Sequence, residues 1–127
     1  MTRILIGFFL LLLLAACGGN TAPSDATPKK AATPDLSTNP DYQKGMDLIA
    51  KNDCLTCHKV DEKLIGPSYR EVAKKYAGLP DTVVTYLAHK IMKGGTGVWG
   101  QVPMAAHPNL SEADAVALAK YVMLLKQ

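Results

Sequence analysis

Cys54-Leu55-Thr56-Cys57-His58 holds two thiols three positions apart with an imidazole next in the chain. C-x-x-C-H is the attachment sequence for a c-type haem. In that chemistry both thiols add to the vinyl groups along one edge of the ring, and the adjacent His58 brings its imidazole to the iron. Two other chemistries use similar residues. A redox-active dithiol belongs near a βαβ pattern, and none is visible here. Zinc needs four ligands, while the other histidines, His89 and His107, stand singly and far along the chain. The expected cofactor is one covalent haem c on Cys54 and Cys57, with His58 as an axial ligand.

Haem attachment of this kind takes place outside the cytoplasm, and the first residues agree with export. Thr2-Arg3 gives a short positive start, Ile4 to Leu14 is an unbroken apolar run, and Ala15-Ala16 follow. That is the layout of a signal peptide. The run stops at Cys17-Gly18-Gly19, short of the roughly 20 apolar residues of a spanning helix. Leu14-Ala15-Ala16-Cys17 resembles the lipobox of bacterial lipoproteins, which implies cleavage before Cys17 and lipid on that cysteine. Several acyl chains would hold the protein stably at a membrane, where one would not. A discarded signal containing a stray cysteine would instead leave the protein soluble.

Three segments are therefore expected: a lipoprotein signal at 1–16, a lipidated Cys17 with a flexible tether at 17–40, and a folded domain at 41–127. The tether is rich in Thr, Ala, Pro and Ser, with prolines at 23, 28, 34 and 40 and little to bury. The domain carries 11 Lys+Arg against 9 Asp+Glu, a formal +2. So small an excess excludes the strongly basic face of a nucleic-acid binder. A domain this small buries little apolar surface and needs a staple, which a covalent haem supplies.

The elements that must position the site read as helices. Asn39-Pro40 starts the first, running to about Asn52 with Tyr42, Gly45, Met46 and Ile49 on one face. Ser68 and Glu71 form a capping box ahead of Tyr69, Val72, Ala73 and Tyr76, with a stop at Gly78. A third helix begins near Asp81, presents Val84, Leu87, Ala88 and Ile91, and ends at Gly94-Gly95. Ser111 and Asp114 read as another capping box, before Leu118, Tyr121, Val122 and Leu125. Gly94 to Leu110 is too rich in glycine and proline for helix or sheet, and a loop of that length in so small a domain is usually functional. The fold class is all-α.

With CLTCH, the motifs Gly66-Pro67-Ser68-Tyr69, Gly97-Val98-Trp99-Gly100, Pro103-Met104 and Ala119-Lys120-Tyr121-Val122 make residues 41–127 resemble the class I c-type cytochromes, small bacterial electron carriers. The resemblance implies about four helices around one haem, with the first and last crossing and Gly45 permitting close approach to Tyr121. It implies a second axial ligand from the far side of the haem. Met104 is the choice, because its loop follows the third helix and is stiffened by Pro103, whereas Met46, Met92 and Met123 lie on helices where methionine usually fills core. His107 is the rival. The resemblance also gives Pro67 the carbonyl that accepts the other imidazole N–H of His58, and Trp99 an indole N–H for a haem propionate, with Lys90 assisting there. His89 belongs to an exposed helix face. Where many relatives continue after the methionine with prolines and an asparagine, this chain has Ala105-Ala106-His107-Pro108-Asn109, a softer loop.

Two protein ligands leave iron no open position, which implies a single-electron carrier and no enzyme. A haem enzyme or gas sensor with a displaceable methionine is the alternative. The expected partners are redox proteins as donor and acceptor, a terminal oxidase or reductase among them, and a membrane through the lipid. The expected setting is the periplasm or bacterial cell surface, as a monomer, with inner and outer membrane not distinguished. Mapped by resemblance, the exposed haem edge is rimmed by Leu55, Thr56, Leu64, Ile65, Gln101, Val102, Ala105 and Ala106, almost without charge.

Overall fold

The computed structural model describes residues 35–126, and Cys17 with the signal and most of the expected tether lies outside them. Packing begins with Leu36, which rests against the core before the first helix and accepts the N–H of Asn39 through its carbonyl at 2.9 Å. Helix α1 covers Pro40–Lys51. The Asn39 side chain accepts from the N–H groups of Asp41 and Tyr42, and Pro40 occupies the first turn, where its missing N–H costs nothing. The buried face of α1 is Gly45, Leu48 and Ile49; Met46, expected on it, is largely exposed. Its sulfur still accepts the Tyr121 hydroxyl at 3.3 Å.

A 3₁₀ turn at Cys54–Thr56 follows, then helix α2 at Tyr69–Lys75. The Ser68 capping box forms in full: the Ser68 hydroxyl accepts the Glu71 N–H, and the Glu71 carboxylate accepts the Ser68 N–H at 2.7 Å. Helix α3 spans Thr82–Lys93 and buries Val83, Leu87 and Ala88, with Val84 and Ile91 partly buried beside them. Helix α4 spans Glu112–Leu124. Only half of its expected capping box forms. Ser111 accepts from the Asp114 N–H, but the shorter Asp114 carboxylate takes the Ser111 hydroxyl and the Lys44 ammonium instead of the cap N–H, because aspartate lacks the reach of glutamate.

The segment after α3 is not all loop. Strands β1 at Gly95–Gly97 and β2 at Gly100–Met104 pair antiparallel, with Gly95 opposite Met104, Gly97 opposite Gly100 and an irregularity between. The glycines that argued against a sheet make this one: Gly95, Gly97 and Gly100 all have positive φ, which lets so short and twisted a hairpin close around Val98-Trp99. Pro103 is accommodated because β2 has a partner on one side only.

Helix α4 is the hub, lying against α1, α2 and α3. Its Ala115, Leu118, Ala119, Tyr121 and Val122 are buried, and Tyr121 packs its ring against those of Tyr42 and Tyr69. The crossing of α1 and α4 depends on Gly45, since a Cβ there would collide with Cβ of Tyr121. A glycine inside a helix costs about 1 kcal/mol, and this close approach is what it permits. Lys44–Asp114 (2.9 Å) and Lys120–Asp41 (3.4 Å) bridge the same two helices at the surface. Among the described residues no helix is long and apolar enough to cross a membrane.

Candidate functional site

Helix α1 ends at Lys51 with Asn52 as its cap, and Asp53 turns the chain with φ +53, a left-handed conformation that aspartate tolerates better than most residues. That turn delivers Cys54 and Cys57 to the wall of a cavity of about 610 Å³. Both cysteines are free and half-buried. Burial pushes the Cys54 thiol up, opposite to the lowered pKa of a reactive dithiol.

His58 is fixed on three sides. Its Nδ1 lies 2.7 Å from the Pro67 carbonyl, so it donates there and leaves Nε2 free. The Tyr69 ring is stacked on the imidazole, centroids 5.4 Å apart and planes 18° from parallel. Against the ring also lies Gly66, where a Cβ would sit 2.5 Å from Cε1. Main-chain bonds hold the intervening loop: the Gly66 N–H donates to the Cys57 carbonyl (2.9 Å), and those of Tyr69 and Arg70 donate to Lys59 (2.9 Å) and Val60 (3.1 Å). Arg70 braces it further, pairing with Asp61 and donating to the Leu125 carbonyl at the end of α4 (3.2 Å).

Met104, the last residue of β2, lines the same cavity and is partly buried. Pro67, Trp99, Lys90 and His107 line it too. Every residue expected at the site, apart from Cys17, is thus brought to one cavity. Trp99 is 41% exposed, with the Lys75 ammonium 5.3 Å above its ring, a cation–π contact. The Lys90 ammonium lies 6.0 Å from the Tyr86 ring centroid. His89 is on the exposed face of α3, as expected.

Sequence reasoning missed the parts played by Gly66 and Tyr69. Gly66 was visible only within a motif, and the helical spacing that assigned Tyr69 to the core cannot say that the ring it meets is that of His58. It also missed Tyr76 and Tyr86, whose rings are 5.9 Å apart on the cavity wall; their positions on two helices had no shared signal.

The residues present fit a haem. Two thiols and an imidazole with a free Nε2 share the wall with a methionine, and Leu87, Ile91, Leu118 and Val122 give the remainder an apolar surface suited to a flat macrocycle. Among the described residues, no three His, Cys, Asp or Glu side chains converge to hold a bare metal ion.

Comparison with known proteins agrees. The family model for cytochrome c matches residues 42–126. Cytochrome c-552 of Nitrosomonas europaea is 49% identical over 84 residues, covering 66% of this chain and 81% of that protein. Cytochrome c-552 of Hydrogenobacter thermophilus is 48% identical over 79 residues, 62% of this chain and 79% of that protein. The crystal structure of wild-type Nitrosomonas europaea cytochrome c552 superimposes with a TM-score of 0.60, covering 64% of this chain and 99% of that one. That of the class 1 cytochrome MtoD from Sideroxydans lithotrophicus ES-1, at 27% identity, gives 0.58 over 67% of this chain and 96% of that one. The chain belongs to the cytochrome c family, with the class I fold, and is a carrier of single electrons on one covalently bound haem c rather than an enzyme.

Proposed function

We propose that Cys54 and Cys57 form the thioether links, that His58 and Met104 are the axial ligands, and that the domain works as a monomer on a lipid tether at Cys17, outside the cytoplasm. When bound, the haem supplies a one-electron Fe(III)/Fe(II) couple. The chain's own residues set its conditions. Pro67 holds the His58 tautomer and raises its basicity as a ligand. A methionine on the other side favours ferrous iron and raises the potential. Trp99 and Lys90, on the cavity wall, are the candidate donors to the propionates.

The observation that carries this reading is the single cavity shared by Cys54, Cys57, His58 and Met104, with Nδ1 of His58 already engaged by Pro67. Met104→Ala tests it. The variant should lose the weak far-red absorption of an iron–thioether bond and fall in potential; an unchanged band would assign another ligand.

The anchor rests on Leu14-Ala15-Ala16-Cys17 and on the tether composition. Cys17→Ser should move the protein from the membrane fraction to the soluble fraction with its haem spectrum intact, because anchor and cofactor use different cysteines. Persistent membrane association of that variant defeats the lipoprotein reading.

The partners are redox proteins that meet the exposed haem edge. All eight residues mapped to its rim are exposed, with Leu55 at 52%, Ile65 at 54% and Val102 at 63%. Leu64 is 46% exposed, and Ile65 also lines the cavity. Apolar side chains grouped in this way favour contact with a partner.

A further inference from the structure

The chain after Met104 turns back across the C-terminal end of α3 as Ala105-Ala106-His107-Pro108. Ala105 and Ala106 are exposed and lend it neither a ring nor a side-chain hydrogen bond. Two other features hold the turn. Gly94, the buried cap of α3 with φ +65, faces this backbone so closely that a Cβ would strike the Met104 carbonyl oxygen and lie 2.9 Å from both the Ala105 carbonyl carbon and the Ala106 nitrogen. The second feature is His107.

A helix end leaves its last carbonyls without intrahelical donors. At the end of α3 the Gly94 N–H satisfies Lys90 at 2.8 Å, and the next two carbonyls are those of Ile91 and Met92. The His107 N–H is shared between them at 3.2 Å each, and its ring Nδ1 lies 3.3 Å from the same Ile91 oxygen. The His107 carbonyl in turn accepts the Leu110 N–H at 3.2 Å. One residue therefore clips the loop to α3 through both main chain and side chain, three positions beyond Met104. On the other side, Met104 is held in the ladder opposite Gly95.

We propose that His107 is a positioning residue for Met104: by satisfying the end of α3 it restrains the loop that would hold the thioether on the iron. The proposal rests on the reading of Met104 as axial ligand. In this role the His107 ring donates through Nδ1 to a carbonyl and does not itself ligate.

The test uses the full-length holoprotein with imidazole as the competing ligand, following the far-red band of the ferric form. His107→Ala keeps the main-chain bonds and loses the ring contact. It should retain the far-red band at room temperature yet admit imidazole about fivefold faster than wild type, the effect of losing one ordinary hydrogen bond. His107→Asn, whose short amide can also donate to Ile91, should restore much of the wild-type rate. Equal rates for wild type and His107→Ala would overturn the proposal while leaving Met104 as ligand. A far-red band that survives in Met104→Ala would overturn the underlying reading as well. Loss of a low-spin spectrum in His107→Ala, with no band in wild type, would make His107 the ligand and also overturn it.

Discussion

Gly66 lies against the imidazole of His58 with no room for a side chain, since a Cβ would be 2.5 Å from Cε1, 2.9 Å from Nδ1 and 3.0 Å from Nε2. Tyr69 stacks on the same ring and Pro67 accepts from it. The orientation of this imidazole is thereby fixed by three contacts within four residues, supplied by the end of the loop and the first residue of α2.

Gly66→Ala should therefore act on His58 directly. The methyl group forces the ring away from Tyr69 or the loop away from the ring, an overpacking cost of about 1–3 kcal/mol. We expect a lower midpoint in urea and a changed pattern of haem methyl shifts in the ferric NMR spectrum, which reports the orientation of the axial imidazole. Wild-type stability and an unaltered pattern would show that the loop absorbs the methyl group freely.

The capping box of α2 makes a pH-dependent contribution. The Glu71 carboxylate, accepting from the Ser68 N–H and then from its hydroxyl, is held below its ordinary value of 4.5. A carboxyl whose pKa is lower folded than unfolded adds stability that is complete above the unfolded value and is lost as pH falls through the folded one. Glu71→Gln keeps an acceptor that does not titrate. The urea midpoint of wild type should exceed that of the variant at about pH 7, and the gap should narrow as the pH falls below the ordinary Glu71 value of 4.5. A constant gap across that range would assign the effect to packing.

Docking should depend on the uncharged rim. Val102→Lys or Ile65→Lys is expected to slow electron transfer to a partner while leaving the spectrum nearly intact, because both residues are exposed on the cavity wall and neither is a proposed iron ligand. The domain's formal +2 is roughly offset by two haem propionates, so charge steering is weak. Wild-type rates should then vary little with ionic strength. A steep fall between low and physiological salt would indicate a lysine-ringed docking site instead.

The positions where residue type alone dictates local geometry were legible in the sequence. Asn39-Pro40 and Ser68 with Glu71 start helices because their side chains and backbone leave few alternatives, and both caps form. CLTCH announced its chemistry through spacing. The burial of Tyr121 and the close approach of Gly45 also followed, once a resemblance had supplied the crossing of the terminal helices. What could not be read were contacts set by tertiary placement. The glycines at 95, 97 and 100 argue against a strand by propensity, and only the return of the chain toward Met104 turns their freedom into a hairpin. Met46 satisfies the helical spacing of α1 but lies at the margin of the buried stripe, so periodicity placed it one step too far inside. The contacts of His107 could not be read either, because the sequence cannot show that α3 ends with two carbonyls facing it.

On the proposed reading the haem is held covalently by Cys54 and Cys57 and its iron is closed on both sides by His58 and Met104, so that the protein carries electrons and binds no small substrate. The most direct measurement is the visible spectrum of the purified ferrous protein before and after addition of carbon monoxide at neutral pH, with acid extraction of the haem on the same sample. A spectrum that is unmoved by carbon monoxide, together with haem that stays with the polypeptide in acid, is the predicted result. Rapid formation of a carbon monoxide complex, or haem released into the organic layer, would contradict it.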